Sequence, residues 1–377
     1  MKTLSDFNFK GKRVLLRSDL NSEVINGKVI ESDRIIESVR TIKELKMRKA
    51  KVVIMAHQGK PGKKDFLSLR QHARLLNKYT KIKFVPDVIG DRAKKEIIKL
   101  KEGEALLLEN VRFEKDEFKP EKKKNNKIIK NLMPFIDIYV NDAFSVCHRN
   151  HVSMVLFPKY VESCAGRLLE KEVKALKKVK IKKCLFILGG AKPEDNIKLL
   201  KGQRVLACGL FGQLCVISKG KDLGAQNIYL KDELKLIPKL KKKLKNVLMP
   251  VDFAVRKNGR RVELRLEEFP SKYEIFDIGK KTQELYVKEI MKAKSIFMKG
   301  PAGYYSDKKF SEGTKKILRA IIKSRAFSVL GGGHLNNALK VLRINKRRFG
   351  HVSLAGGALI YYIAGEKLPG LTALESS

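Results

Sequence analysis

The chain has 377 residues, of which 43% are hydrophobic, and it carries a formal net charge of +42. This length exceeds what one hydrophobic core ordinarily supports, so two domains are expected, and the apolar content excludes a disordered chain. The first residues include no apolar run of signal-peptide length, and no stretch is long enough to span a bilayer, so we expect a soluble, cytoplasmic protein with no membrane partner.

The positive charge is distributed over many lysine-rich runs, such as residues 122–124, 177–178 and 241–243. Such a field attracts anionic metabolites, but it equally attracts nucleic acid. Because the runs lack interleaved aromatic residues and a confined basic tail, solvated lysine faces account for most of the excess. Weak nucleic-acid binding by this surface stays open.

The five cysteines are odd in number and include no Cys-x-x-Cys pair. Most lie in apolar surroundings, which is typical of reduced cysteines that pack in a core. A disulfide framework and a zinc site are therefore not expected.

Strands and helices alternate through the first half of the chain. The pattern predicts a hairpin at 24–30 that turns at Asn26-Gly27, and a helix that begins after the N-cap Ser32. Further helices are predicted at 68–79 and 91–100, and strands at 12–20, 51–57, 82–85, 105–108 and 136–140. This alternation is typical of βαβ units that form a parallel sheet.

Polar residues follow these strands, where open parallel sheets bind ligands. Arg17, Asp19 and Asn21 follow the first strand, and Arg34 lies in the first turn of the helix after it. The helix dipole disfavours a cation at that position. Arg34 is therefore either a surface arginine or, together with free N–H groups, an anion clamp.

Residues 184–195 combine a short apolar strand, the pair Gly189-Gly190, and a helix that begins at Pro193. Free N–H groups at a helix start attract anions, and the flexible ammonium of Lys192 can follow a phosphate oxygen. This segment predicts a phosphate-binding loop, and an ordinary glycine turn with a solvated lysine is the alternative.

The second half repeats this pattern with more glycine. Strands are predicted at 204–207, within 247–255, at 295–298 and at 327–330, and helices at 282–292 and 336–342. The glycine triplet 331–333 lets the backbone approach a nucleotide. The Walker pattern Gly-x-x-x-x-Gly-Lys-Ser/Thr does not occur in the sequence. Between the halves, residues 166–176 predict an amphipathic helix with oppositely charged pairs.

Five segments, in order along the chain, resemble motifs of the phosphoglycerate kinase family. They are Arg17-Ser18-Asp19-Leu20-Asn21, His57-Gln58-Gly59-Lys60-Pro61, Leu108-Glu109-Asn110-Val111-Arg112-Phe113, Asn141-Asp142-Ala143-Phe144 with His148-Arg149-Asn150-His151, and Gly189-Gly190-Ala191-Lys192. The match runs nearly from end to end and is closest to the archaeal branch, because Gly-Gly-Gly-His at 331–334 is similar to that branch.

The resemblance implies an α/β fold of two Rossmann-like domains, with mainly parallel sheets flanked by helices and an interdomain helix. The expected parts are an N-terminal 3-phosphoglycerate-binding domain (1–166), the interdomain helix (167–180), a nucleotide-binding domain (181–350) and a C-terminal segment (351–377) that returns toward the first domain. Domain motion would pivot about the helix.

The resemblance also implies the site residues. Arg34 and Lys192 would be catalytic. The substrate-binding residues would be Asp19, Leu20, Asn21, Arg34, His57, Gln58, Gly59, Lys60, Arg112 and Arg149. The nucleotide-binding residues would be Gly189, Gly190, Lys192, Gly209, Gly300, Pro301, Ser306, Gly331, Gly332, Gly333 and His334. His57 and His151 are each either site residues or structural histidines, and no metal ligand is assigned.

The implied reaction is the reversible, in-line transfer of a phosphoryl group between 1,3-bisphosphoglycerate and ADP, which gives 3-phosphoglycerate and ATP on domain closure. Mg²⁺ would accompany the nucleotide. We expect a monomer, with a dimer left open. The alternatives are a catalytically weakened relative and a nucleic-acid-binding protein on the same scaffold.

Six positions depart from the usual family pattern. Lys60 replaces an arginine, Asn196 stands where many members have a second lysine, and Lys299 replaces the asparagine of Asn-Gly-Pro. Ser306 stands in place of a ribose-binding glutamate, His334 in place of an aspartate that positions magnesium, and Ala355 in place of a threonine. Imidazole is a poor ligand for Mg²⁺, so the metal would depend on phosphates and water.

Overall fold

The computed structural model describes residues 1–179 and 181–376. The chain divides into two compact units, Met1–Lys174 with Glu366–Ser377, and Ala175–Gly365. Lys180, the last residue of the predicted interdomain helix, and Ser377 lie outside the described residues. The return to the first unit begins at Glu366, whereas the sequence placed it at residue 351. The later return follows from a short strand at 351–352 that pairs within the second unit.

The first unit alternates strands and helices in the predicted order. Its elements are β1 (Arg13–Arg17), β2 (Val24–Ile25), β3 (Lys28–Val29), α1 (Asp33–Met47), β4 (Lys51–Met55), α2 (Arg70–Asn77), β5 (Lys83–Phe84), α3 (Asp91–Lys99), β6 (Ala105–Leu107), α4 (Lys127–Leu132), β7 (Ile138–Asn141), α5 (Val152–Val155), β8 (Glu162–Ala165) and α6 (Arg167–Lys177), whose last three residues belong to the second unit. The hairpin β2–β3 turns at Asn26-Gly27, both with positive φ, and Ser32 caps α1.

Six strands of this unit form one parallel sheet in the order β5-β6-β4-β1-β7-β8. After β1 the chain extends the sheet on one side with β4 and β6, and then on the other side with β7. In such sheets ligands bind at the carboxyl ends of the strands near the point where the strand order reverses. That point lies between β1 and β7.

The second unit has the same plan. Its elements are β9 (Leu185–Leu188), α7 (Pro193–Lys198), β10 (Val205–Ala207), α8 (Gly209–Ser218), α9 (Ala225–Tyr229), α10 (Ile237–Lys241), β11 (Val247–Leu248), β12 (Asp252–Lys257), β13 (Arg260–Arg265), β14 (Ile275–Ile278), α11 (Lys280–Lys292), β15 (Ser295–Lys299), α12 (Glu312–Ser324), β16 (Phe327–Gly331), α13 (Gly333–Val341), β17 (His351–Val352) and α14 (Gly357–Ile363). The last helix, α15 (Pro369–Glu375), belongs to the first unit.

Its large sheet is parallel and has the order β11-β10-β9-β15-β16-β17. The strand order therefore reverses between β9 and β15, and the loops that follow these two strands meet at the expected ligand-binding edge. Together the two sheets confirm the predicted α/β class with mainly parallel sheets flanked by helices.

A separate antiparallel sheet, with the order β13-β12-β14, was not predicted. The sequence indicated one strand within 247–255, but the structure has β11 and β12 there, in different sheets. Pro250 lies between them, and a proline has no N–H to continue a sheet ladder. The chain therefore leaves one sheet and enters the other at this residue.

Each unit buries its own apolar core between sheet and helices. In the first unit, Leu16 of β1 and Ile54 of β4 pack in one cluster with Ile42 of α1. In the second unit, Ile187 of β9 clusters with Tyr286 of α11. All five cysteines are buried and free, as predicted. Among the described residues no helix has both the length and the apolarity needed to cross a bilayer.

Candidate functional site

The predicted substrate-binding residues of the first unit follow the carboxyl ends of neighbouring strands. Asp19 and Asn21 follow β1, His57 and Lys60 follow β4, and Arg112 follows β6. Parallel register places these strand ends along one edge of the sheet. The fold therefore brings the arginines and their loops together.

Arg34 is tied to the loop after β1. Its Nη1 donates to the carbonyl oxygen of Asn21 at 3.0 Å, and its Nε lies 3.7 Å from Oδ2 of Asp19. The side chain keeps 24% of its surface exposed. The guanidinium is thus held in one direction and stays partly exposed.

The backbone of the loop after β4 is hydrogen-bonded to the side chains of Asn21 and Arg112. Oδ1 of Asn21 accepts from the N–H of Gly59 at 2.8 Å, and Nη1 of Arg112 donates to the carbonyl oxygen of Gly59 at 2.5 Å. Nε of Arg112 and Oδ1 of Asp19 are buried and have no hydrogen-bond partner among the described residues. Buried polar atoms ordinarily have partners, so these two indicate a place for a polar ligand.

A network of buried hydrogen bonds joins Arg17 to His57 and, through Ser153, to Glu117. Arg17 is fully buried, and it donates from Nε to Oγ of Ser153 at 2.9 Å and from Nη2 to Nδ1 of His57 at 3.0 Å. Glu117 accepts from Oγ of Ser153 at 2.6 Å. Burial raises the pKa of Glu117, and the Arg17 and Arg112 charges oppose that shift.

The histidines of this region are neutral at pH 7. Burial, followed by nearby Arg17 and Arg112, lowers the pKa of His57 well below its usual value. Burial and neighbouring arginines lower the pKa of His148 to about 4 and that of His151 to about 3. Since arginine only donates, Nδ1 of His57 is an acceptor. The positive charge of the cluster therefore comes from arginine and lysine.

Two of the predicted substrate-binding residues, Gln58 and Leu20, make contacts that stabilise the fold. The side-chain amide of the buried Gln58 accepts from the N–H of Ser22 at 2.9 Å and donates to the Ser22 carbonyl at 3.0 Å, and Leu20 belongs to the core. Lys60 and Arg149 are exposed, and both influence the pKa of His148, which places them near the cluster.

Two adjoining cavities lie at the ligand-binding edge of the second unit. The first, of about 480 Å³, has aromatic walls, and its lining includes Tyr229, Phe276, Tyr304 and Ser306. An apolar cavity with few polar groups suits a planar base. Its lining residues Gly190, Ala191 and His334 also line the second cavity.

The second cavity, of about 330 Å³, has a polar, glycine-rich wall. Lys192, Asp195 and Lys299 line it, together with the glycines 331–333 and 356–357. Two ammonium groups beside exposed backbone are typical of a site for phosphate. The two cavities together have the chemistry of a nucleotide site.

The glycines of this edge have two different uses. A Cβ at Gly300 would lie 2.5 Å from the Gly189 carbonyl oxygen, so this residue is required where two loops pack together. A Cβ at Gly332 or Gly333 would meet nothing within 4 Å, so these two leave open space. At Gly189 a Cβ would lie 2.4 Å from the Pro301 carbonyl oxygen, so this residue also packs against backbone.

The comparisons with known proteins agree over the whole chain. A family model described as phosphoglycerate kinase matches residues 4–366. The chain is 38% identical to the phosphoglycerate kinase of Methanothermus fervidus, covering 100% of this chain and 97% of the relative, and 40% identical to that of Sulfurisphaera tokodaii, covering 99% and 95%. The crystal structure of phosphoglycerate kinase from Pyrococcus horikoshii OT3 superposes with a TM-score of 0.90 at 37% identity, covering 100% and 98%.

The chain belongs to the phosphoglycerate kinase family.

This membership makes it a glycolytic phosphotransferase of that family and confirms the resemblance to the archaeal branch. The phosphoglycerate kinase of Coxiella burnetii is more distant, with 30% identity and a TM-score of 0.83 over 99% of this chain and 98% of that one. The two-domain fold of phosphoglycerate kinases is therefore shared across this range of sequence.

Sequence reasoning placed Arg17 in a candidate binding loop without a specific role, and it assigned no site role to Glu117, Ser153 or Lys299. A charged residue at the end of an apolar strand was the available signal for Arg17 and for Lys299. Glu117 and Ser153 gave no signal, because their partners lie far away in the sequence.

The residues around the two cavities do not fit a magnesium site built from protein ligands. Asp195 is the carboxylate among the described lining residues of the second cavity, and its Oδ2 lies 3.7 Å from the Lys299 ammonium. Among the described residues, no group of three or more His, Cys, Asp or Glu side chains could hold a metal.

Proposed function

We propose that this protein transfers a phosphoryl group reversibly between 1,3-bisphosphoglycerate and ADP, giving 3-phosphoglycerate and ATP. The first unit would bind the phosphoglycerate and the second the nucleotide. We also propose that it works in the cytoplasm, as a monomer.

The observation that carries the proposal is the cluster of Arg34, Asn21, Gly59 and Arg112. Its hydrogen bonds hold two guanidinium groups beside the buried Arg17. Forked guanidinium donors pair with carboxylate and phosphate oxygens alike, and 3-phosphoglycerate carries both groups. Burial lowers the pKa of Arg112 to about 10, so the residue remains charged at pH 7.

The adjoining aromatic and glycine-rich cavities support a nucleotide in the second unit. A base in the first cavity would direct its phosphates toward Lys192 and the open backbone at Gly332-Gly333. Ser306 also lines the first cavity. The departures at Ser306 and His334 therefore leave both residues beside the proposed nucleotide.

Phosphoryl transfer needs mainly alignment and charge neutralisation, with no nucleophile from the protein. In the proposed reaction the 3-phosphoglycerate carboxylate attacks the γ-phosphorus of ATP, and ADP leaves. Arg34 would neutralise charge on the transferred group from the side of the acceptor, and Lys192 from the side of the nucleotide. In-line transfer on domain closure, as the resemblance implies, is part of the same proposal.

Magnesium would supply further neutralisation of phosphate charge as a bound companion of the nucleotide. Its oxygen ligands would come from phosphates and water, since Mg²⁺ retains waters and prefers substrate phosphates. No step of the proposed reaction is assigned to it.

A coupled assay with ATP and 3-phosphoglycerate tests the proposal. We expect turnover on the order of 1 to 1,000 per second, the usual range for enzymes. Turnover far below that range, with both substrates bound, would identify a weakened relative. A protein that binds neither substrate would contradict the assignment.

A further inference from the structure

Lys299 occupies the point of the second sheet where strand order reverses. It is the last residue of β15, and its register partners are Leu188, the last residue of β9, and Gly331, the last residue of β16. Its carbonyl oxygen accepts from the N–H of Gly189 at 2.7 Å. Lys299 therefore lies between the ends of β9 and β16, at the centre of the edge where the sheet is expected to bind a ligand.

The ammonium of Lys299 is buried beside Asn196. Nζ donates to Oδ1 of Asn196 at 2.9 Å, and the Asn196 amide nitrogen donates to the carbonyl oxygen of Gly189 at 2.9 Å. These two bonds fix the orientation of the amide, because its nitrogen faces a carbonyl and its oxygen faces an ammonium. Asn196 is fully buried, so it acts as a rigid support for the Lys299 ammonium.

The charge on Lys299 is only partly balanced by the protein. Asp195 lies 3.7 Å from Nζ, and 32% of its side-chain surface is exposed, whereas the Lys299 side chain is 10% exposed. Burial, opposed by Asp195 and reinforced by the nearby Lys192 charge, lowers the pKa of Lys299. A buried cation with weak pairing is costly, and an anion in the cavity that Lys299 lines would relieve that cost.

Lys299 and Asn196 both depart from the family pattern, and the structure shows that they touch. Where many members have a lysine, position 196 holds asparagine, and where they have asparagine, position 299 holds lysine. The amide from helix α7 and the ammonium from strand β15 are hydrogen-bonded although they lie 103 residues apart in sequence.

We propose that Lys299 is a nucleotide-phosphate-binding residue, which supplies a second cation to the cavity from β15. Lys192 provides the first cation of the same cavity. The inference deepens the proposed nucleotide site and rests on the proposed function. It predicts that the location of the cation can be exchanged while phosphate binding is kept.

Direct binding separates this role from catalysis. Dissociation constants for ATP, inorganic tripolyphosphate and adenosine are measured by calorimetry for the native protein and for Lys299→Met. We expect the substitution to weaken ATP and tripolyphosphate about 10- to 100-fold, the range for loss of a charged hydrogen bond, and to leave adenosine unchanged. Lys294→Met is the matched control, because Lys294 is exposed and precedes the first residue of β15.

The exchanged variant Asn196→Lys with Lys299→Asn gives the decisive comparison. We expect it to bind tripolyphosphate within about threefold of the native protein, while Lys299→Asn alone stays weakened. Equal tripolyphosphate binding by native and Lys299→Met protein overturns the inference. An equal loss of affinity for adenosine and for tripolyphosphate also overturns it, because that result would mean a collapsed cavity. The inference is overturned as well if the exchanged variant binds tripolyphosphate no better than Lys299→Asn does.

Turnover of the native protein is measured in the same buffers. Native protein without turnover contradicts the proposed function. Native protein with turnover, whose Lys299→Met variant binds tripolyphosphate normally, contradicts this inference alone.

Discussion

Arg34 shows how a single side chain is prepared for an anion. A cation in the first turn of a helix is opposed by the helix dipole. Here the Asp19 carboxylate pairs with Arg34, and the Asn21 carbonyl accepts a hydrogen bond from it, which offsets that cost. The Arg34 side chain keeps 24% of its surface exposed. The pairing with Asp19 and the partial exposure both support the role proposed for Arg34.

Replacing Arg34 with alanine should lower kcat by at least about 100-fold in the coupled assay, because one charge partner of the transferred group is removed. The free energy of unfolding should change by less than about 1 kcal/mol, since the lost ion pair is partly exposed. Urea unfolding and steady-state kinetics measure the two effects. Arg40→Ala is the control, because Arg40 is an exposed residue of the same helix. Unchanged turnover in Arg34→Ala would remove Arg34 from its proposed role.

At the scale of elements, α2 and the loop after β4 are joined through a neutral histidine. His72 of α2 is fully buried, and its Nε2 lies 3.1 Å from Oε1 of Gln58. Burial lowers the pKa of His72 to about 4. Because Oε1 of Gln58 accepts, Nε2 of His72 donates this bond. Acid would therefore add its proton, and a charge, at Nδ1, which is buried.

His72 should make the first unit sensitive to acid. Between pH 6.5 and about 4 the unfolded chain binds a proton at this residue and the folded chain does not, so stability falls as pH falls. At pH 5 the loss relative to pH 7 is about 2 kcal/mol. Urea unfolding of native and His72→Gln protein at both pH values measures it, and the variant should lose less. An identical pH dependence in both proteins would contradict this.

Helix α11 is capped from a distant strand. The carboxylate of Asp252, the first residue of β12, accepts from the N–H groups of Lys281 and Thr282 at 2.9 and 2.8 Å. Asp252 is buried. This cap links the antiparallel sheet to α11, a helix that packs against the large parallel sheet.

Asp252→Ala should therefore lower the free energy of unfolding by about 2 kcal/mol, the upper end of the range for a lost helix cap. Asp232→Ala, at an exposed position, should change it by less than about 0.5 kcal/mol. Urea unfolding followed by circular dichroism checks both values. A loss in Asp252→Ala no larger than that of the control would show that the cap is energetically unimportant.

At the scale of the whole molecule, the formal net charge of +42 sets the response to salt. A field of this size raises the encounter rate with anionic substrates, and added ions screen it. KM for both substrates should rise several-fold between about 50 and 300 mM salt, with a smaller change in kcat. Steady-state kinetics with a neutral solute as the control measures this, and salt-independent KM values would exclude electrostatic steering.

The same charge allows a test of nucleic-acid binding. If the basic surface is mainly solvated lysine, RNA binding should be weak near 150 mM salt, because nonspecific binding falls steeply with salt. Fluorescence anisotropy with labelled RNA measures it. Tight binding that ATP and 3-phosphoglycerate do not displace would favour the nucleic-acid alternative.

Local patterns were enough to predict most elements of both sheets. The β1 and β9 segments are apolar runs, Ser32 caps α1, and α6 carries Arg167, Glu170 and Lys174 as charged pairs at helical spacing. These features depend on neighbours within one turn or one strand. They are readable because periodicity and capping act over short distances in the chain.

These local patterns could not predict the order of strands in each sheet. The long-range contacts of the candidate sites depend on that order. Arg17 reaches Ser153 across 136 residues, and Lys299 reaches Asn196 across 103. Read singly, positions 196 and 299 were two separate departures from the family pattern, and the contact between them was not predicted. The sequence by itself determined the family, the alternating elements and the candidate loops. Only the tertiary structure decided which distant side chains contact each other, because those contacts depend on which strand ends become neighbours.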